Sequence, residues 1–85
     1  MKEFTYIITD SLGIHARPAG LLVKEATKFS SEIKLTKGEK SSDARRLFSV
    51  MGMGVKHGDE VKVTCSGADE DDAIAAMKKF FEDNL

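Results

Sequence analysis

One cysteine, one proline, one tyrosine and no tryptophan occur in the 85 residues, and no apolar run approaches the length of a membrane span. The single thiol, Cys65, excludes an internal disulfide, and without a second thiol there is no thiolate metal site. The lack of a bilayer-length apolar stretch excludes a transmembrane helix. The N-terminal segment carries Glu3 and Asp10 and has no long apolar core, so it does not read as a signal peptide, and the expected compartment is the cytoplasm. An excess of charge is missing too. Thirteen basic and 14 acidic residues leave a formal net charge of −1, which gives no general attraction to nucleic acid or to an anionic membrane. A hydrophobic share of 41% beside 32% charged residues excludes a disordered chain. Residues 1–85 read as one domain with one core, too small to enclose a deep substrate cavity. Chemistry is expected on the surface, beside a partner.

What is present is a regular alternation of patterns. Lys2 to Ile8 reads as a strand, with Phe4, Tyr6 and Ile8 on one face. Asp10 to Gly13 is turn-like. The apolar residues Ala16, Ala19, Leu22, Val23, Ala26 and Phe29 recur at helical spacing, with Pro18 in the first turn, where its missing N–H breaks no bond. Ser31 to Lys37 and Lys40 to Ser42 read as a hairpin, and Leu47 to Met53 as a helix of about two turns. Glu60 to Ser66 alternates Val61, Val63 and Cys65 against Lys62 and Thr64, a half-buried strand. Asp69 is predicted to cap a last helix whose first turn holds Glu70, Asp71 and Asp72 and whose buried stripe is Ala73, Ile74, Met77 and Phe81. Strand, helix, two strands, helix, strand and helix predict an α+β domain, an antiparallel sheet with helices on one face.

Gly13-Ile14-His15-Ala16-Arg17-Pro18 stands apart as chemistry. An imidazole at a helix mouth faces unpaired backbone N–H groups and the positive end of the peptide dipoles, an anion site. Arg17 adds a permanent cation whose planar fork fits phosphate oxygens. A neutral ring nitrogen is a competent nucleophile near pH 7, and histidine is a poor helix cap beside Ser, Thr, Asp or Asn. The plain alternative is a solvated histidine at a loop–helix junction. Elsewhere, His57 reads as part of a solvated turn and Cys65 as a small buried apolar residue. Phe48, Met51 and Met53 divide between core and docking patch. Lys24, Lys28, Lys40, Arg45 and Arg46 read as solvated surface or as a basic rim that steers acidic partners.

The run from Gly13 to Ala19 resembles the active-site signature of the HPr family, the histidine-containing phosphocarriers of the bacterial sugar phosphotransferase system. Ser41 to Val55, Gly58 to Val63 and Gly67-Ala68-Asp69-Glu70 are similar to that family in order and spacing. The resemblance implies an open-faced β-sandwich, four antiparallel strands with three helices on one face. It implies that His15 accepts a phosphoryl group on Nδ1 from phosphorylated enzyme I and donates it to the IIA component of a sugar permease. Arg17 and Ala16 would steady the phosphohistidine, and Gly20, Leu47, Phe48 and Met51 would dock both partners. The protein would be a monomeric carrier and not an enzyme, with no cofactor, no metal, no nucleic acid and no membrane insertion.

Two positions depart from that pattern. Arg46 stands where many relatives carry a regulatory serine, so modification by the dedicated serine kinase is expected to be lost, and Ser49, one turn further on, presents a different geometry. Gly20 replaces the usual alanine or threonine, and glycine within a helix costs about 0.5–1 kcal/mol relative to alanine. A second reading, an adaptor that uses the same surface to bind a regulator or metabolic enzyme, is kept open by Arg46 and disfavoured by His15 with Arg17. A third, a small RNA-binding α+β domain, is disfavoured by the balanced charge.

Overall fold

In the computed structural model, which describes residues 1–85, period-2 and helical patterns become seven elements in the expected order. They are β1 (Lys2–Ile7), α1 (Ala16–Ala26), β2 (Glu32–Lys37), β3 (Lys40–Asp43), α2 (Leu47–Gly52), β4 (Glu60–Ser66) and α3 (Glu70–Asn84). Boundaries differ from the sequence reading by a residue at several ends. Ile8 falls just outside β1, yet its N–H donates to the Asp59 carbonyl and its carbonyl accepts from Gly58 N–H, so the pairing runs on by one residue.

The four strands form one antiparallel sheet in the order β1-β4-β2-β3. Register places Phe4, Val63 and Leu35 in one row across three strands, with Tyr6 opposite Val61 and Ile33 opposite Cys65. These side chains share the face that the helices cover. The other face carries Glu3, Lys62 and Lys34, with Lys62 paired to Glu3 at 3.2 Å and Lys34 to Glu32 at 3.6 Å. The sheet is therefore open on one side, as alternation predicts.

Leu22 and Ala26 of α1, Val50 of α2 and Met77 and Phe81 of α3 close the core from above. Phe81 is the hub. Phe4 and Tyr6 both meet its ring at 5.6 Å in edge-on geometry, and Phe80 lies at 6.3 Å, arrangements that suit the quadrupoles of the rings. Phe80 belongs to the buried stripe, which the sequence reading missed, while Ile74 is only half-buried. Cys65 is fully enclosed, and burial pushes its thiol up to about 11, which leaves it unreactive. No helix is long and apolar enough to cross a membrane.

Two expectations are corrected here. Asp69 occupies the cap position of α3, but its carboxylate makes no capping bond. It accepts instead from the backbone N–H groups of Ser30 and Ser31, each at 2.9 Å, and from the Ser31 hydroxyl. These bonds tie the start of α3 to the start of β2 and hold the Asp69 carboxyl at about 2, below its ordinary value. A carboxylate saturated by neighbouring chain has nothing left for its own helix. Arg45, read as surface or rim, is half-buried, and its guanidinium donates to the carbonyls of Phe29 and Ser31. It closes the turn between α1 and β2 and is not free to steer a partner.

Candidate functional site

The approach to α1 is set by a close backbone contact. Gly13 has φ of +70°, and a Cβ there would lie 2.6 Å from Lys56 Cα and closer still to the Val55 carbonyl oxygen. Only glycine fits the left-handed conformation and the space together. Ile14 then donates its N–H to the same carbonyl at 3.1 Å and buries its side chain. This double contact with the segment after α2 delivers His15 to the helix mouth.

His15 has extended backbone (φ −90°, ψ −174°) and caps α1 without any side-chain capping bond. Its carbonyl accepts from Ala19 N–H at 2.9 Å. Pro18 has no N–H, so two of the first four helix nitrogens are unavailable as donors. The amides of Ala16 and Arg17 donate to no other group of the protein. They are the free donors that the sequence reading placed here. Ala16, counted with the apolar positions of the helix, is in fact exposed at the mouth.

The His15 ring is partly open, with 38% of its side chain accessible. It lines an open depression of about 270 Å³ together with Asp10, Arg17, Pro18, Leu21, Asp83 and Asn84. Arg17 is exposed and engaged in no ion pair. Sequence reasoning brought His15 and Arg17 together but missed three polar neighbours. Asp10 approaches because the 10–13 turn folds back on the ring, and Asp83 and Asn84 because the end of α3 returns to the beginning of α1. No local pattern reports a meeting of residues nearly 70 positions apart.

The short helix presents its apolar side outward. Phe48 is 85% exposed and Met51 37%, whereas Leu47 is half-buried against the core and Met53 is buried. Packed alongside, α1 exposes Gly20 and Leu21. Leu21, 44% exposed, is an apolar residue of this region that the sequence reading did not single out. Arg46, at the start of α2, is exposed, as is Ser49. His57 is exposed in its turn, and no cluster of three or more His, Cys, Asp or Glu side chains is gathered to hold a metal ion.

The chain as a whole is similar to known proteins. The family described as PTS HPr component phosphorylation site matches residues 2–83. The phosphocarrier protein HPr of Mycoplasma capricolum subsp. capricolum is 46% identical over 79 residues, covering 93% of this chain and 89% of the relative. The solved structure of a Mycoplasma histidine-containing phosphocarrier protein superposes with a TM-score of 0.94 at 44% identity, over 96% of this chain and 93% of that one. An HPr dimer from Thermoanaerobacter tengcongensis matches with a TM-score of 0.77 at 42% identity, over 98% and 95% of the two chains. A family match over residues 2–83, 46% identity over nearly the full length of one relative and a shared fold show that the chain belongs to the HPr family of phosphocarrier proteins of the phosphotransferase system.

Proposed function

We propose that His15 is the residue that carries the phosphoryl group, received on Nδ1 from phosphorylated enzyme I and passed to a IIA domain of a sugar permease. The observation that carries this reading is a partly exposed imidazole at an uncapped helix mouth, with two free amides and an unpaired arginine beside it. A phosphoryl group bound to a ring nitrogen brings about −1.5 to −2 charge, by analogy with phosphorylated hydroxyls. The Ala16 and Arg17 amides and the α1 dipole favour that charge, and the Arg17 guanidinium donates in the planar fork that phosphate oxygens accept. The depression is open, so a donor or acceptor can reach phosphorus in line with the ring nitrogen. No enclosed cavity is needed because the partner supplies the other wall.

Gly20, Leu47, Phe48 and Met51 form the docking surface in this reading. An 85% exposed phenylalanine gains little for the folded monomer and much for an interface. The chain acts as a single domain, as a monomer, in the cytoplasm. Arg46 has no hydroxyl, so the serine kinase that modifies many relatives leaves this protein unmodified.

The test is intact mass after incubation with enzyme I and phosphoenolpyruvate. One acid-labile phosphoryl group is expected on the wild type and none on His15→Ala. Absence of the added mass on the wild type would turn the reading toward an adaptor that uses the docking surface alone.

A further inference from the structure

We propose that Asp10 is a positioning residue for His15: its carboxylate faces the Nε2 edge of the ring and stabilises the positive charge that appears there when Nδ1 takes the phosphoryl group. The inference rests on the reading of His15 given above. His15 Nε2 faces Asp10 Oδ1 at 3.9 Å, too long for a hydrogen bond but within charge–charge range once the ring is positive. The opposite nitrogen, Nδ1, is the one left for transfer.

Asp10 is held in place without help from His15. Its Oδ1 accepts from Leu12 N–H at 2.8 Å, its own N–H donates to the Leu85 carbonyl at 2.9 Å, and its carbonyl accepts from Gly13 N–H at 3.0 Å. The side chain is only 29% accessible. Such a turn is served equally well by asparagine. The negative charge is thus surplus to the turn, and the group it faces is the imidazole. The other charged groups around the ring are Arg17 from α1 and Asp83 from α3, with the neutral Asn84 beside it.

The transfer step shows what the charge does. The Nδ1 lone pair of the neutral ring attacks phosphorus of the phosphorylated donor protein, and the Nδ1–P bond forms as the donor–P bond breaks. The electron pair of that broken bond leaves with the donor atom. The proton on Nε2 stays where it is, so the ring becomes a phosphoimidazolium whose positive charge reaches Nε2–H, beside Asp10. Donation onward reverses each change and returns the ring to neutrality. Asp10 therefore favours the loaded state while lying on the edge of the ring away from the phosphoryl oxygens.

The test compares wild type with Asp10→Asn, which keeps the acceptor for Leu12 N–H and removes the charge. Nitrogen-15 NMR of the phosphorylated ring should show Nε2 losing its proton more readily in the variant. The transfer equilibrium with the phosphorylated donor should move about threefold toward the donor near neutral pH. That difference should vanish at alkaline pH, where Nε2 carries no proton in either protein, and Asp10→Glu should recover part of it. A residue that only shaped the turn would give no pH-dependent difference. Should the asparagine form fold poorly, Asp10→Ser keeps a hydroxyl acceptor for the turn and gives the same reading. Superimposable titrations and equilibria in a variant still phosphorylated on His15 overturn the inference. A wild type that takes no phosphoryl group on His15 overturns the underlying site reading instead.

Discussion

The chain enters α1 through Gly13-Ile14-His15 and α3 through Gly67-Ala68-Asp69, a glycine with positive φ standing two residues before the cap in each case. At neither mouth does the cap side chain bond its own helix, and beyond that the two differ in charge. At α3 the cap is a carboxylate and the first turn holds Glu70, Asp71 and Asp72. Glu70 reaches back to Gly67 N–H at 3.2 Å, and Asp69 is committed to Ser30 and Ser31. At α1 the first turn has no acid, so no carboxylate of that turn stands beside the free amides of Ala16 and Arg17. Acids at a helix start stabilise it and, by the same field, repel any further anion. The protein forgoes that stabilisation at α1, and in the proposed function the mouth is left for a transient dianion. In that reading one helix start serves the fold and the other serves transfer.

Converting one mouth into the other is the sharpest way to break this contrast. His15→Asp gives α1 the carboxylate cap that its sequence withholds. Phosphoryl uptake from enzyme I and phosphoenolpyruvate should fall to nothing by intact mass, because no ring nitrogen remains. Stability to urea should rise at the same time, by about 0.5–2 kcal/mol, the usual worth of a good cap over a poor one. A variant that lost uptake and stability together would mean that His15 supports the fold in some other way.

The next largest effect is expected where the entry itself is closed. Gly13→Ala puts a Cβ into the Val55 carbonyl and Lys56 Cα at a left-handed φ, so both strain and overlap oppose it. A destabilisation of about 2–4 kcal/mol is expected in urea titrations. Residual folded protein should also take up phosphoryl more slowly, since Ile14 and His15 are positioned through the same contact. Gly67→Ala should cost stability by the analogous overlap with Ser31 without slowing uptake. Equal slowing in both variants would erase the functional difference between the mouths.

How far this contrast could be read beforehand depends on the distance over which each part acts. Periodicity within ten or so residues located all seven elements, and the exchange of Ser or Asp for His at a helix start marked the proposed site. Pairing β4 between β1 and β2 is a non-local choice, settled by which apolar rows meet over Phe81, and alternation alone is silent on it. Asp69 illustrates the limit most clearly. Its place at the head of an apolar stripe predicts a cap, but Ser30 and Ser31, nearly 40 residues earlier, present two N–H groups and a hydroxyl that outcompete its own helix. Arg45 was misread for the same reason, since the carbonyls it satisfies belong to the turn after α1. Asp10 lay within reach of sequence reasoning. An Asx residue before a glycine turn, five positions ahead of the histidine, carried a charge that the turn did not require.

A smaller and pH-dependent effect is expected at the α3 mouth. The Asp69 carboxyl is held at about 2, below its ordinary value of 3.8, chiefly by the Ser31 hydroxyl and then by Ser30 N–H. A folded-state value lower than the unfolded one means that the native protein favours the ionised form. The resulting stability is fully present above pH about 4 and is lost as pH falls toward 2. Asp69→Asn should therefore be less stable than wild type at neutral pH, with the gap narrowing between pH about 4 and 2 in urea titrations run at several pH values. Phosphoryl uptake by the folded variant should match wild type, because nothing at the α1 mouth has changed.

The smallest effect concerns the helix that was left uncapped. Gly20 lies within α1, is exposed, and a Cβ built there meets no atom within 4 Å. Alanine should then stabilise the protein by about 0.5–1 kcal/mol through backbone entropy, which for a chain of this size corresponds to roughly 2–8 °C in Tm. No glycine interrupts α3, which has alanine at positions 73, 75 and 76. A helix that forgoes both an acidic first turn and alanine at position 20 is under a demand other than stability. If Gly20→Ala raises Tm and slows transfer to or from the partners, that demand is close approach of a partner to α1. If it raises Tm and leaves transfer untouched, Gly20 plays no part in docking, and the sacrifice at α1 is confined to its first turn.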